Sequence, residues 1–596
     1  MHQPSYSNPE YRFEGWKLQK LRQAIKARNL NSFLVPKVDI YRGEKLAECD
    51  ERLAWLTGFT GSAGFLAVTL EKVALFVDGR YKLEAQETVP DFFEIHTFEK
   101  EDIAKWLAES VAGGLVGYCS LFHSVSELKD LKDALSKIEI SLIPTDSLID
   151  EIWTDRPPPP IADIYFYPEE LAGETHQSKR LRLAQELKEN GVSALLVTNP
   201  CSIGWLLNLR GNDIPHTPIF HALALLYSNG DVELFIDPHK VSQELNLEEN
   251  REIKIIPQST FESSLDRVQG MIQIDPDTIP QRYFDILDKN CEVTFEPDPC
   301  LTARAVKNET QIKLCKEVQT RDAVAFVEFL AWFYNQINPT ELTEIDLSMK
   351  LFEFRQRQSN FKDLSFETIV GSGSNGAIIH YRVKEKTNRR LEKGDLLLID
   401  SGAQYIEGTT DLTRTLSVGK PNKKQQADFT LVLRCLIAIS QAKWEMGSIG
   451  SVVDKIAKTP LSAVKEGYDH GTGHGVGQFL EVHEGPYGLS KKNDKPLPNN
   501  IILSLEPGLY REGEYGIRIE NLALTKMAND VTDKNQKVSF ETLTFVPIDL
   551  DLILPEQLTK AERAWINRYH SITFSKLHTL VSTQAQDWLK EACRSI

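Results

Sequence analysis

The stretch Leu396-Leu-Leu-Ile-Asp400-Ser-Gly-Ala-Gln-Tyr405-Ile-Glu-Gly-Thr-Thr-Asp411-Leu-Thr-Arg-Thr415 decides how the rest of the chain is read. An apolar run delivers Asp400, a short polar link containing Gly408 follows, and a second segment rich in Thr and Leu carries Asp411. That pattern reads as two hydrogen-bonded strands. Two carboxylates then converge at one place. Buried like charges repel strongly, so such a pair needs a shared proton or cations between them. More carboxylates downstream make cations the better answer.

Three other stretches set polar, metal-capable residues among glycines. Gly371-Ser-Gly-Ser-Asn-Gly376-Ala-Ile-Ile-His380-Tyr381 lies upstream of the aspartate pair. Downstream come His470-Gly-Thr-Gly-His474-Gly-Val-Gly-Gln-Phe-Leu-Glu-Val-His483-Glu-Gly-Pro486 and Ser504-Leu-Glu506-Pro-Gly-Leu-Tyr510, the latter followed by Gly516-Ile-Arg518-Ile-Glu520-Asn521. His470 and His474 have the spacing of a helical metal site, but the glycines at 471, 473, 475 and 477 disfavour a helix by up to about 1 kcal/mol each. A glycine-rich turn or strand is expected there. No Lys-Ser/Thr pair follows, so it is not a Walker phosphate cradle. In Ile517-Arg-Ile-Glu520 the alternation puts Arg518 and Glu520 on one strand face.

Together these residues make the case for a metal site. Asp400, Asp411, Glu506 and Glu520 supply four negative charges and neutral His474 adds a nitrogen. Two divalent ions balance that set. Ligation dominated by oxygen, with one imidazole and no thiolate, favours a hard ion such as Mn²⁺, with Zn²⁺ or Co²⁺ as alternatives. Two such ions about 3.5–4 Å apart lower the pKa of a shared water and polarise a carbonyl.

Working outward, the 596 residues carry a length prior of roughly four domains, and the chain's own punctuation argues for three. Glu14 to about Asn29 reads as a helix, Ser32–Pro36 as a strand, and Phe65–Thr69 with Val73–Val77 as a β-rich pair ending in Asp78-Gly-Arg80. Helix, strand, Trp-containing segment and hairpin ending in Asp return in Lys179–Asn190, Ser193–Val197, Ile203–Gly211 and Ala222–Asp237, which suggests two copies of one α/β unit. Pro157 to Pro160 cannot continue a helix and read as a semi-rigid spacer between the copies. A softer boundary falls near Pro297 to Lys307, before a long helical pattern from Glu309 to Gln336. The expected domains are 1–160, 161–305 and 306–596. In the third, helices are expected at Glu341–Gln358, Lys424–Lys443 and Ser451–Lys458, a last strand at Leu543–Asp551, and helices from Thr559 to Cys593.

Composition (41% hydrophobic, 26% charged) is that of a folded globular protein. The net charge of −17 argues against nucleic acid as a partner, since phosphate binding needs a basic face. Eight scattered cysteines without a C-x-x-C pair point to reduced thiols. No run reaches the roughly 18 apolar residues of a membrane span, and the first residues lack a signal-like apolar region, so a cytoplasmic protein with no membrane partner is expected.

The ligand order Asp400, Asp411, His474, Glu506, Glu520 and the words around it resemble the metallopeptidase family of the pita-bread fold, most closely its three-domain cytosolic aminopeptidase P branch. Gly58-Phe-Thr-Gly-Ser-Ala-Gly64, Asp78-Gly-Arg-Tyr81, Ile152-Trp-Thr-Asp-Arg-Pro157, Trp205-Leu-Leu-Asn-Leu-Arg-Gly211 and Lys307-Asn308 extend the likeness over nearly the whole chain. The resemblance implies an α/β fold with two creatinase-N-like domains ahead of a pita-bread catalytic domain. It also implies hydrolysis of the bond before a penultimate proline, by hydroxide bridging two divalent ions. Glu506 would be ligand and acid/base; His380 and His483 would contact substrate and stabilise the intermediate. Arg80, His470, Tyr510 and Arg518 are the implied substrate-side residues. The family's last region is associated with dimers, so a homodimer is expected. The alternatives are a prolidase, which cuts only dipeptides, and a metal-free binding module of the same fold.

Overall fold

Ser32-Phe-Leu-Val-Pro36 is buried along its whole length, and it pairs antiparallel with Gly64–Thr69 and parallel with Gly114–Cys119. A strand covered on both faces reads as a continuous apolar run rather than an alternating one. The computed structural model describes residues 11–97, 100–111, 113–136, 138–242, 245, 252–336, 338–528 and 537–596. In it this strand is the fourth of a six-stranded sheet ordered Glu94–Thr97, Val73–Val77, Gly64–Thr69, Ser32–Pro36, Gly114–Cys119, Ile140–Thr145. A second six-stranded sheet is ordered Ile253–Pro257, Val232–Ile236, Leu223–Tyr227, Ala194–Val197, Met271–Ile274, Glu292–Phe295. Numbered within its own unit, each sheet runs 4-3-2-1-5-6, with antiparallel pairs at the centre and parallel pairs toward both edges. Pro157 to Pro160 lie between the two sheets without regular secondary structure.

The long helix Glu309–Tyr334 opens the third region. Asn308 caps it reciprocally with Gln311, an arrangement that satisfies two of the orphan donors at a helix start. This helix and Glu344–Gln356 cover one face of the strands Leu396–Ser401 and Leu412–Ser417, enclosing Leu397, Ile399, Leu412 and Leu416. The opposite core joins Leu396 to the helices Lys423–Ser440 and Gly450–Ser462. The apolar run before Asp400 is therefore flanked by helices on both sides. Beyond it, a six-stranded sheet is ordered Lys443–Glu445, Lys537–Thr542, Asn521–Met527, Ile502–Leu505, Gly473–Gly475, Glu484–Leu489. The architecture is the mixed α/β one expected from the resemblance, with Asp400 on, and Asp411 immediately before, two paired strands: Asp400 stands opposite Thr413.

Several expected elements shift. The helix expected at Ser451–Lys458 runs on to Ser462 with Pro460 inside it, and Lys443 leaves the preceding helix to start a strand. The strand expected at Leu543–Asp551 is absent: the last strand is Lys537–Thr542, and residues 543–549 are not laddered. Leu543 and Thr544 N–H still donate to Leu522 O, at 2.8 and 3.4 Å, and from Val546 on side chains satisfy the backbone. Val546 N–H donates to Tyr569 Oη at 3.1 Å, Ile548 N–H to His570 Nε2 at 3.0 Å, and Arg414 Nη2 donates to Val546 O at 2.9 Å. The thiols carry no disulfide, and all but Cys291 and Cys593 are buried.

One ion pair fastens the two helices over the site strands. Arg355 donates Nε and Nη2 to the two oxygens of Asp322, each at 2.9 Å, and Tyr405 Oη donates to the same carboxylate at 3.0 Å. Both partners are fully buried. Removing one leaves an uncompensated buried charge, which costs about 3–5 kcal/mol. Arg355→Ala is expected to destabilise the third region by that amount, read as an earlier urea transition relative to the unaltered chain.

Candidate metal centre

Four of the five expected ligands sit near the end of a strand or in a short link, where backbone direction changes and a side chain can turn inward; His474 is the exception. Asp400 is next to last in Leu396–Ser401, and Asp411 immediately precedes Leu412–Ser417. His474 is the centre of the three-residue strand Gly473–Gly475, so the glycine-rich segment is extended and not helical. A Cβ on Gly473 would meet Ser504 O at 1.8 Å and one on Gly475 would meet Glu484 O at 2.2 Å. Only glycine lets the flanking strands approach that closely. Glu506 follows Ile502–Leu505. Arg518 ends one strand and Asn521 begins another, so Arg518 and Glu520 do not alternate along a single strand. They meet at Thr413 instead: Arg518 Nε donates to its Oγ1 at 3.2 Å, and that hydroxyl donates to Glu520 Oε2 at 2.7 Å.

The structure brings the five side chains together. Potential ligand atoms of Asp400, Asp411 and Glu520 lie within 4.8 Å of one another, as do those of His474, Glu506 and Glu520. A third such group joins Asp411 and His474 to His483. His474 Nε2 is 3.6 Å from Asp411 Oδ2 and 3.5 Å from Glu506 Oε1. Its Nδ1 lies 2.9 Å from Gly475 O; a carbonyl can only accept, so the ring proton sits on Nδ1 and Nε2 presents a lone pair to the carboxylates.

Electrostatics match this crowding. Burial, followed by the charges of Glu520, Asp400 and Glu506, pushes the Asp411 carboxyl well above the ordinary range, and burial with Glu506 and Asp400 does the same to Glu520. Burial raises Glu506 to about 7. Burial, with the neighbouring His483, lowers His474 to about 3, which keeps it neutral. Asp400 Oδ1 and Glu520 Oε1 are buried without a hydrogen-bond partner. Orphaned carboxylate oxygens facing one cluster are what a cation would satisfy, and the donor set of carboxylates and one imidazole fits two divalent ions.

The remaining expected residues fall into two groups. Arg518 Nη2 donates to Asp400 Oδ2 at 2.6 Å, and its Nη1 donates to Tyr510 Oη at 2.8 Å. Tyr510 Oη also lies 3.0 Å from His470 Nε2, so these residues form one chain behind Asp400. His483 packs edge-on against His474 with ring centroids 4.3 Å apart. His380 is in none of the three ligand groups. Its turn is pinned by the buried Glu344, which accepts from Ser372 N, Tyr381 Oη and Arg389 N, and its Nδ1 lies 2.9 Å from Tyr81 Oη. Arg80 has its backbone in the turn Gly79–Tyr81; its side chain lies outside the described residues.

Some neighbours of the site escape sequence reasoning. Glu44, from the first unit, holds His483 Nδ1 at 2.7 Å. Burial works against a protonated His483, but the Glu44 carboxylate outweighs it and raises the imidazole's pKa. Arg210, from the second unit, donates to Phe479 O at 2.6 Å and Gln478 O at 3.1 Å, in the loop between His474 and His483. Arg304 and Lys307 close on the buried Glu484 beside His483. Arg210 and Lys307 belong to segments that resemble the family, whereas Glu44 stands in Tyr41-Arg-Gly-Glu44 with no local signal.

Models of known families match in chain order. Residues 17–152 and 155–311 each match a creatinase/prolidase N-terminal domain, 313–526 match metallopeptidase family M24, and 536–596 match the C-terminal region of that peptidase family. Aminopeptidase P2 of Arabidopsis thaliana is 35% identical, with 94% of this chain and 85% of that protein covered. A probable Xaa-Pro aminopeptidase P of Paracoccidioides brasiliensis is 33% identical over 97% of this chain and 99% of its own length. The crystal structure of an X-prolyl aminopeptidase from Caenorhabditis elegans, described as a cytosolic enzyme with a di-nuclear active site, superposes with a TM-score of 0.92 at 30% identity, covering 98% of this chain and 99% of that one. Fold and cluster together define a metallohydrolase with a carboxylate-rich site for two divalent ions. The chain belongs to metallopeptidase family M24, in its aminopeptidase P branch.

A carboxyl whose native pKa is raised binds more protons folded than unfolded, so it stabilises the fold at low pH and loses that contribution as pH rises through the native value. For Glu506 the window runs from its ordinary value of 4.5 to about 7. Metal-stripped protein is therefore expected to lose thermal stability between these pH values, and divalent cation is expected to reverse the loss at pH 7 and above. Melting curves across that range, with and without Mn²⁺, check both halves.

Proposed function

We propose that this protein is a metal-dependent aminopeptidase that hydrolyses the bond between an N-terminal residue and a following proline. The observation that carries the reading is the Asp400–Asp411–His474–Glu506–Glu520 cluster, with two orphaned oxygens, in a chain that matches a di-nuclear X-prolyl aminopeptidase over its full length. Those five residues would hold two divalent cations, and the oxygen-rich set favours Mn²⁺. When bound, the cations supply Lewis acidity and a water acidic enough to ionise near neutral pH.

The chain's own groups do the rest. Glu506 takes the proton of the attacking water and passes it to the prolyl nitrogen, which carries no hydrogen in the peptide and leaves only once protonated. His483, kept basic by Glu44, donates toward the scissile carbonyl as negative charge develops there. His380 contacts the substrate from the other side. Arg518 anchors Asp400, while Tyr510 and His470 line that flank. The family resemblance also implies Arg80 as a substrate-side residue.

The same reading divides the chain at 1–160, 161–305 and 306–596, with the first two domains as repeats; their shared strand order supports it. It makes the protein a cytoplasmic homodimer; among the described residues no helix is long and apolar enough to cross a membrane. Light scattering is expected to give twice the chain mass.

Release of arginine from Arg-Pro-Pro tests the activity. Metal-stripped protein is expected to cut it only after Mn²⁺ is restored, to leave Arg-Ala-Pro intact, and to fall to background in the Asp411→Ala variant. Cleavage of an Arg-Pro dipeptide with Arg-Pro-Pro untouched would make the protein a prolidase. A metal-loaded protein inactive on all three would be a binding module.

A further inference from the structure

The first unit approaches the site through two sequence words of which the catalytic reading uses only Arg80. Gly58-Phe-Thr-Gly-Ser-Ala-Gly64 and Asp78-Gly-Arg-Tyr81 are folded against each other. Phe59 is fully buried and meets the ring of Tyr81 edge-on, centroids 6.1 Å apart. A Cβ on Gly61 would stand 2.3 Å from Phe59 Cζ and 2.8 Å from Tyr81 Cδ1, so this loop admits no side chain where it wraps the two rings. Tyr81 is 4% exposed. Its hydroxyl is 2.8 Å from Ser62 Oγ on one side and 2.9 Å from His380 Nδ1 on the other. The phenol thus crosses from the first unit to a histidine of the catalytic region, 299 residues away in sequence.

We propose that Tyr81 is a positioning residue for His380: its hydroxyl, oriented by Ser62, donates to Nδ1 and so places the imidazole proton on Nε2. In a neutral imidazole the bond made by one ring nitrogen sets the tautomer of the other. Nε2–H is then a fixed neutral donor for the substrate oxygen, and the rings, 5.5 Å apart at 78°, hold its direction. The first unit thereby contributes to the rate of the reaction as well as to the stability of the seam. This inference rests on the aminopeptidase reading and on the contact assigned there to His380.

The test is kcat and KM for Arg-Pro-Pro with Mn²⁺-loaded full-length protein: unaltered, Tyr81→Phe, His380→Asn and the double variant. Losing the partner that orients a metal-ligating imidazole costs about 10- to 100-fold. His380 is aimed at substrate and not at metal, so the lower end is expected of Tyr81→Phe, about 10-fold in kcat with KM within about twofold. In the His380→Asn background the same change is expected to cost nothing more, because coupled residues are not additive. Full activity in Tyr81→Phe, or losses that multiply, would overturn the proposal and leave Tyr81 as a docking contact. Should Tyr81→Phe fold poorly, Ser62→Ala keeps the phenol and removes its outer partner. A kcat loss there that vanishes with His380→Asn supports the relay, and an unchanged kcat overturns it. An inactive unaltered protein, or a His380→Asn variant at full rate, sinks the aminopeptidase reading or its assignment of His380, and this inference with it.

Discussion

Four carboxylates brought into one pocket repel one another, and burial raises that cost because little water remains to screen it. The catalytic region is organised around this constraint. Asp400 is held by Arg518, Glu520 by Thr413 and Glu506 by Ser504. Arg414, fully buried, donates to Glu520 O, Asn521 Oδ1 and Val546 O, tying the strand after Asp411 to the link that presents Glu520. These bonds fix the direction of three of the four carboxylates, and Arg518 offsets only one of the four charges. With two divalent cations and Arg518 present, the ligand set would keep one net positive charge, suited to negative charge developing on a carbonyl.

The two units ahead of this region reach into it at different points. The first supplies Glu44 to His483 and Tyr81 to His380. The second supplies Arg210, which grips the loop between His474 and His483 where Phe479 takes a φ of 50°. A bulky residue in the left-handed region is costly, and two charge-assisted bonds from a buried guanidinium hold it there. Arg304 and Lys307 then fasten Glu484, so His483 is bracketed by contacts from both sides. The histidines expected to touch substrate are thus oriented by parts of the chain that carry no metal ligand.

Much of this was legible in the residues. The apolar run ending at Asp400, the glycine spacing around His474 and the Asp-Asp-His-Glu-Glu order all announce a carboxylate-rich metal site, and the glycines correctly argued against a helix. The reading failed where local pattern and tertiary context disagree. Leu543-Thr-Phe-Val looks like a strand, yet only Leu543 and Thr544 still donate to the neighbouring strand, both to Leu522 O, and from Val546 on Tyr569, Arg414 and His570 satisfy the backbone instead. Arg518 and Glu520 look like one strand face, yet the chain breaks at Ile519, whose N–H turns to Pro507 O.

Sequence by itself pointed to a carboxylate-rich metal site, because that depends on residue types at short spacing: strand periodicity, turn glycines, and enough carboxylate charge to require cations. The fold class and the peptidase chemistry came from the family resemblance of the words around those residues. Only the tertiary structure decided which groups hold His483 and His380, the histidines expected to meet substrate. Glu44 lies 439 residues from His483 and Tyr81 lies 299 from His380. Nothing in the neighbours of Glu44 distinguishes it from an ordinary glutamate, and the family-like word Asp78-Gly-Arg-Tyr81 does not say which group the Tyr81 hydroxyl meets. Their roles arise from the way the first sheet docks against the catalytic region, which is set by the packing of whole surfaces and has no local signature in the chain.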